Sequence, residues 1–397
     1  MSRLRVLDGN HAAAVGAILA KPDVVAAYPI TPQTPLVQHF SQYVADGVMD
    51  STIVEPESEH SAMSVLTGAS LAGARTFTAT SSQGLALMFE PYFRASTMRL
   101  PIVMNIVNRE MISPQTVWGG PQDSLTVRDA GWIQIYVEDN QEILDMTIQA
   151  FKIAEHCDVL LPINICYDGF YLSHMTEGVE VPLQEEVDAF LPPYKPTHVK
   201  LDPQMPMAID PLTPGNYLQY YRELHMQAMD RAKTVIEDIN DEFAVLFGRD
   251  YFGLLEPYRM EEADYVLITL GSLTGSARVA VDMAREKGIK AGLIKIRVLR
   301  PFPKEEVAKL LKNRKAVGVI DRNVSFGWHT GIVYQEVKAA ISSMEAMPTV
   351  PFIGGLGGED LTTELMCEAL KQIIKAAKEN KIQNEAYWLI NRKGREA

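Results

Sequence analysis

In Tyr28-Pro29-Ile30-Thr31-Pro32 a single hydroxyl stands between two prolines, at the end of the apolar run VVAAY (24–28). Proline fixes its own φ and pushes the residue before it toward extended geometry, so Tyr28 and Thr31 are kept out of helix while the chain turns. A stiff turn at the carboxyl end of a buried strand is where open α/β sheets gather ligands, although an ordinary strand-to-helix connection reads the same way. A second group lies in IVEPESEHSAMSVLTGASLAGA (53–74), which leaves a strand, turns at Pro56 and enters a helix with Ser58 at its N-cap and Glu59 in its first turn. Carboxylates are favoured at any helix N-terminus, so Glu55, Glu57 and Glu59 also fit a plain surface. The small residues Ala62, Gly68, Ala69, Ala72 and Gly73 tip the balance, because they let a backbone or a flat ligand come close. A glutamate at the mouth of such a helix can meet a heterocycle. Arg109 follows the run PIVMNIV (101–107), again at a strand end where ligands collect.

The elements that must position these groups are short apolar runs separated by segments of helical period. VVAAY (24–28), TIV (52–54), RTFTAT (75–80), PIVMNIV (101–107) and LLPINIC (160–166) read as strands, with helices beginning near Thr34, Ser58, Gln83 and Gln141. Strands apolar on both faces and separated by helices imply a parallel sheet covered on both sides. Prolines cluster between about 178 and 215, a connection long enough to be a wrapping arm, and 216–247 reads as one long helix. A second α/β unit follows in ADYVLITLGSLTG, AGLIKIRVL, AVGVIDR and VPFIGGL, with helices at 275–287 and 304–314. The expected division is therefore 1–178, 179–261, 262–365 and a helical C-terminal tail over 366–397, in which Trp388 and its neighbours could anchor a partner chain.

With 397 residues, 47% hydrophobic and 22% charged, the chain has the composition of a folded protein of two or three domains. A net charge of -13 argues against nucleic acid as a main partner. No apolar run reaches the roughly 18 residues of a membrane span, and the first residues lack the apolar core of a signal peptide, so a cytoplasmic protein is expected. Cys157, Cys166 and Cys367 are scattered without a CxxC, which fits buried free thiols better than a disulfide, zinc or iron–sulfur set.

Taken together, YPITP at a strand end, ESEH opening a small-residue helix, TATSSQGLALM (78–88), VNRE (107–110), the Asp168–His174 segment, RVLRPFP (297–303) and GLGG (355–358) resemble the alpha subunit of the pyruvate:ferredoxin oxidoreductases. These belong to the 2-oxoacid:ferredoxin oxidoreductase superfamily. The resemblance covers nearly the whole chain and implies a pyrimidine-type thiamine-diphosphate-binding parallel-sheet domain, followed by a transketolase C-terminal-like α/β domain. It assigns Glu59 to the pyrimidine N1′ of thiamine diphosphate, Arg109 to the substrate carboxylate, which a planar guanidinium can hold bidentately, and Thr31 to a hydroxyl near the same carboxylate. Pro29 and Ile30 would set backbone against the pyrimidine. The implied reaction converts pyruvate, coenzyme A and oxidised ferredoxin reversibly to acetyl-CoA, carbon dioxide and reduced ferredoxin.

A GDG-type loop followed by an asparagine, which would hold magnesium and the diphosphate, is missing from the sequence. The resemblance accordingly implies a beta subunit bringing the diphosphate, Mg2+ and a [4Fe–4S] cluster, with gamma and delta subunits carrying further clusters. Rival readings are a subunit acting on 2-oxoisovalerate or oxalate, and a non-catalytic Rossmann-type regulatory subunit binding a nucleotide at GSLTGSA (271–277). That loop lacks both GxGxxG and GKS/T, which makes a structural turn the better reading. His60 and His174 read as structural hydrogen-bonding residues, and EEVDAF as a solvated face.

Overall fold

The computed structural model describes residues 3–391. Seven strands make the first sheet, in the order Val298–Arg300, Ile133–Tyr136, Ile163–Asp168, Val103–Asn108, Thr76–Thr80, Val24–Ala26, Thr52–Val54. All neighbours run parallel except Val298–Arg300, which pairs antiparallel with Ile133–Tyr136. The central strands Thr76–Thr80, Val103–Asn108 and Ile163–Asp168 are buried throughout, as strands covered by helices on both faces must be. Because these strands are parallel, the turns after Ala26, Thr80, Asn108 and Asp168 lie along one edge, the edge at which ligands gather in such sheets.

A second sheet, in the order Tyr387–Leu389, Thr349–Gly354, Ala316–Asp321, Tyr265–Leu270, Ala291–Ile296, Leu255–Tyr258, forms the later α/β unit, with only Leu255–Tyr258 antiparallel. The long helix Gly215–Phe247 follows the proline-rich stretch and buries Ala228, Ala232, Val235, Ile236, Ile239, Asn240 and Phe243.

Several elements differ from expectation. Arg3–Asp8 and Thr176–Val181 pair as a separate antiparallel ribbon, and Ile133–Tyr136 is a full member of the first sheet. EEVDAF is not merely a solvated face: the helix Gln184–Phe190 buries Val187 and Phe190. The C-terminal stretch holds the helix Thr363–Glu379 and then a strand, Tyr387–Leu389, whose Leu389 is buried; residues 392–397 lie outside the described residues. Of the three thiols only Cys166 is buried, and Cys157 is exposed, because it sits in the turn after the helix Asn140–Glu155.

The two units are locked by buried charge. Glu142, in the first turn of Asn140–Glu155, accepts from Lys295 Nζ at 2.8 Å and from Arg297 Nε at 2.8 Å, both on the chain that leads from the second sheet into Val298–Arg300. Lys295 also lies 2.9 Å from Glu138. Burial alone would raise the Glu142 carboxyl; the charges and hydrogen bonds of Lys295 and Arg297 outweigh it and hold the pKa at about 2. Breaking a buried pair from one side leaves uncompensated charge, so Glu142→Gln should cost about 3–5 kcal/mol of stability in urea unfolding at pH 7. Because the folded pKa is depressed, this stabilisation is complete above pH 4.5 and is lost as pH falls toward about 2. The gap between wild type and variant should close over that window; a constant gap down to pH 2 would contradict the account.

Candidate active site

The corner at Thr31 owes its shape to two buried amides as well as to its prolines. Gln33 donates from Nε2 to the Ala79 carbonyl at 3.0 Å, and its Oε1 accepts from the Ile30 N–H at 3.3 Å, which ties the corner to the neighbouring strand. Asn10 donates to the Pro32 carbonyl at 2.8 Å and is itself held through Oδ1 by the Tyr167 hydroxyl at 3.0 Å. The Thr31 side chain is left facing solvent.

Glu59 opens the helix Glu59–Leu71, capped by Ser58, whose hydroxyl accepts from the Ser61 N–H at 3.2 Å. Its residue is buried, and among the described residues the one hydrogen bond toward its carboxyl comes from its own backbone. Burial raises its pKa, so the carboxyl keeps its proton to higher pH than an exposed glutamate does. Across from it lies Gly84, where a Cβ would come within 2.6 Å of Glu59 Oε1 and 2.5 Å of Thr80 Oγ1. The Thr80 hydroxyl is itself buried without a partner among the described residues. A buried carboxyl group faced by a bare glycine suits a flat heterocycle that needs one proton-sharing acid, and these residues fit the pyrimidine of thiamine diphosphate.

Arg109 extends from the strand Val103–Asn108, donating from Nη1 to the Thr31 carbonyl at 2.9 Å, from Nη2 to Gln83 Oε1 at 3.0 Å and from Nε to the Thr116 carbonyl at 3.4 Å. A guanidinium has five donors, so one N–H on each terminal nitrogen is left for an anion. All three acceptors are neutral, and no carboxylate among the described residues forms an ion pair with it within 4.0 Å. Its charge is therefore available. The helix Ser82–Leu87 joins the two groups, since Gln83 touches Arg109 and Gly84 faces Glu59. Asp123, buried, holds this arrangement from behind: Oδ2 accepts from the Ser82 N–H at 2.9 Å and the Arg109 N–H at 3.0 Å, and Oδ1 from Asn108 Nδ2 at 2.7 Å.

Thr31, Glu59 and Arg109 thus meet along one sheet edge. Pro29 lines a hollow with Val37, Gln38 and Glu55, and the Ile30 backbone is bonded within the turn to Gln33 and Thr34. His60 is exposed, 3.4 Å from Glu90, and His174 Nδ1 lies 2.7 Å from the Ser173 hydroxyl. Beside the site a cleft of about 330 Å³ opens between the units, lined by Trp118, Phe170, Ser276 and Arg322. There the GSLTGSA turn places Ser272, whose hydroxyl donates to Asp168, while Arg322 pairs with the same carboxylate at 2.6 Å. Asn10, Gln33, Gln83 and Asp123 were not singled out from sequence as site residues; only Gln83 lies inside a motif, TATSSQG, where it reads as a helix start.

Fold and site together define a subunit of the 2-oxoacid:ferredoxin oxidoreductase class. The chain belongs to the pyruvate flavodoxin/ferredoxin oxidoreductase family. Residues 15–241 match "Pyruvate flavodoxin/ferredoxin oxidoreductase, thiamine diP-bdg", and residues 263–366 match "Pyruvate:ferredoxin oxidoreductase core domain II". It is 52% identical to the NADH-dependent phenylglyoxylate dehydrogenase subunit alpha of Aromatoleum evansii, over 89% of this chain and 87% of that one. It is 47% identical to the pyruvate synthase subunit PorA of Methanocaldococcus jannaschii, over 95% and 96%. Among solved structures, the 2-oxoglutarate:ferredoxin oxidoreductase from Magnetococcus marinus shares the fold at a TM-score of 0.71 and 22% identity, over 94% of this chain and 65% of that one. A split-gene transketolase shares it at 0.55 and 13% identity, over 92% and 98%.

Gly84→Ala tests the cradle. The new methyl would meet Glu59 Oε1 at 2.6 Å and the buried Thr80 hydroxyl at 2.5 Å, so the overpacking should cost about 1–3 kcal/mol of stability, short of unfolding the chain, while the carboxyl is displaced. Thiamine diphosphate affinity of the assembled complex should fall by at least about tenfold, given about 1.4 kcal/mol per decade and the loss of one charge-assisted hydrogen bond. Wild-type affinity in a folded Gly84→Ala complex would show that Glu59 does not face the cofactor.

Proposed function

We propose that this chain holds the pyrimidine of thiamine diphosphate and the carboxylate of a 2-oxoacid in a complex that oxidatively decarboxylates pyruvate, passing the acyl group to coenzyme A and electrons to ferredoxin, reversibly. The observation that carries the reading is the pairing, across the Ser82–Leu87 helix, of a buried carboxyl and a guanidinium that have, among the described residues, no side-chain partner and no counter-charge respectively. When bound, thiamine diphosphate supplies the nucleophilic carbon and the electron sink for loss of carbon dioxide. Glu59, its carboxyl biased by burial toward the protonated form, would share a proton with the pyrimidine ring nitrogen; Arg109 takes the substrate carboxylate in a fork, and the Thr31 hydroxyl donates beside it. Pro29 and Ile30 hold the corner rigid at the cofactor's edge.

The diphosphate, Mg2+ and the [4Fe–4S] clusters we assign to partner subunits, beta with gamma and delta. In support, the one His/Cys/Asp/Glu group among the described residues close enough to hold a metal is the half-buried His156 with the exposed Cys157 and Asp158, which has no part in the Glu59 site. Both relatives named above are themselves subunits. No helix among the described residues is long and apolar enough to cross a membrane, and we place the complex in the cytoplasm. The division into a pyrimidine-binding unit over 1–178, a linker and long helix over 179–261, a transketolase C-terminal-like unit over 262–365 and a tail belongs to the same reading. A second reading, an aryl 2-oxoacid with a nicotinamide acceptor, is favoured by the 52% identity to the phenylglyoxylate enzyme.

The complex, purified with its co-eluting chains, should reduce ferredoxin fastest with pyruvate when compared against 2-oxoisovalerate, 2-oxoglutarate, oxalate and phenylglyoxylate. Preference for phenylglyoxylate with NAD would decide for the second reading. Glu59→Gln should assemble yet lose at least roughly 100-fold in turnover, because general acid–base help is worth about 10² to 10⁴. Hydrogen–deuterium exchange at the cofactor's C2 reads this step directly, and exchange at the wild-type rate in Glu59→Gln would remove the role given to that residue. Arg109→Lys should instead raise KM for the acid, with little effect on C2 exchange.

A further inference from the structure

The amide of Gln83 is satisfied on one side only. Its Oε1 accepts from Arg109 Nη2 at 3.0 Å and from the Ser82 hydroxyl at 2.8 Å. Its Nε2 is shut off from solvent and has no hydrogen-bond partner among the described residues. The orientation is fixed by chemistry: a guanidinium has only donors, so turning the amide round would set donor against donor. An unpaired buried amide donor carries a desolvation cost that an apolar side chain of similar size would avoid. What the glutamine provides in return is its oxygen on Arg109.

That oxygen is a neutral acceptor. The other two groups on the guanidinium, the Thr31 and Thr116 carbonyls, are neutral as well. A carboxylate in the same position would bind Arg109 more tightly and cancel the charge that an anionic substrate needs. An apolar residue would leave one terminal nitrogen without an anchor. The backbone on both sides of the contact is pinned by one carboxylate, since Asp123 accepts from the N–H groups of Ser82 and Arg109. The arginine is thereby aimed without being neutralised.

We propose that Gln83 is a positioning residue for 2-oxoacid binding, fixing the Arg109 fork while preserving its full charge. This rests on the assignment of Arg109 to the substrate carboxylate made above. The test compares Gln83→Glu and Gln83→Leu in the purified complex. Both keep the approximate size of the side chain; Gln83→Leu removes the orphaned donor but also the acceptor for Arg109 and Ser82, so melting temperatures should stay within a few degrees of the wild type. Each should raise KM for the preferred 2-oxoacid, and Ki for the unreactive analogue oxamate, by at least about tenfold, the scale of a hydrogen bond to a charged group. kcat should fall less than KM rises. Gln83→Glu should be the more impaired at neutral pH and should recover affinity as pH is lowered and its carboxyl takes up a proton.

If the wild-type complex oxidises no 2-oxoacid, the substrate reading fails. If it does, and both variants keep the wild-type KM and Ki, the role of Gln83 fails alone. Equal losses in kcat and affinity accompanied by a lowered melting temperature in both variants would make the residue merely structural and would equally overturn the proposal.

Discussion

The buried carboxylate of Asp123 is the constraint on which the site depends. One oxygen accepts the N–H groups of Ser82 and Arg109 and the other accepts from Asn108 and from the Ser124 N–H, so two strand ends and a short helix converge on a single group. Burial raises its pKa to about 6 in spite of these donors. With its folded pKa above the ordinary 3.8, the protonated form contributes stability that is complete below that value and is gone once pH has risen through about 6. At neutral pH the fold therefore carries a desolvated carboxylate whose merit is geometric: it accepts from four N–H groups whose positions set the site. Ser82 also adopts a φ of 43°, a left-handed conformation that costs a side-chain-bearing residue on the order of 1–3 kcal/mol. Its N–H on Asp123 and its hydroxyl, whose one proton is shared between the Gln83 Oε1 and the Glu110 carbonyl, hold it there.

The second α/β unit braces the same edge from the other side. Glu110, next to Arg109, accepts from the Gly357 N–H at 3.2 Å, and Gly357 has a φ of 61°, where a side chain would be strained. Burial pushes the Glu110 carboxyl up to about 7, against the pull of that N–H. Further along the edge, Asp168 is paired with Arg322. The loop that follows Arg109 is thus fastened to a domain more than 200 residues away in sequence, and the buried Glu142–Lys295–Arg297 cluster keeps that domain in register with the first sheet.

How much of this was legible depended on whether a feature is local. The proline corner, the capped helix at Glu59 and the apolar strands leading to Thr80 and Asn108 are written in neighbouring residues, and they stand where the sequence placed them. Ile133–Tyr136 was missed because four residues with a buried glutamine among them carry no clear period, and Arg3–Asp8 because it is a strand only through its pairing with Thr176–Val181. Val298–Arg300 continues an apolar run of the second unit, yet it completes the first sheet, which no local pattern can announce. The same holds for the site. Gln33 acts through Ala79, Asn10 through Pro32 and Tyr167, and Asp123 through Ser82 and Arg109. Each is a polar residue whose meaning lies in a partner distant in sequence.

On the proposed reading, recognition divides into two parts that vary independently. Glu59, Gln83, Arg109 and the Thr31 corner address the cofactor and the carboxylate, which every 2-oxoacid possesses. Nothing in them senses what lies beyond the 2-oxo carbon. The residues around them that could do so are apolar and exposed in this chain: Tyr28 before the corner, Leu87 at the end of the short helix and Ile112 beyond Arg109. Exposed apolar surface of this kind is what an assembly covers, and a methylene more or less against such walls shifts selectivity by only about 1–3 kcal/mol. On this reading, similarity to relatives named for acids as unlike as phenylglyoxylate and pyruvate, at 52% and 47% identity, is compatible with one carboxylate machinery, since a change of acid would ask only for new walls around it.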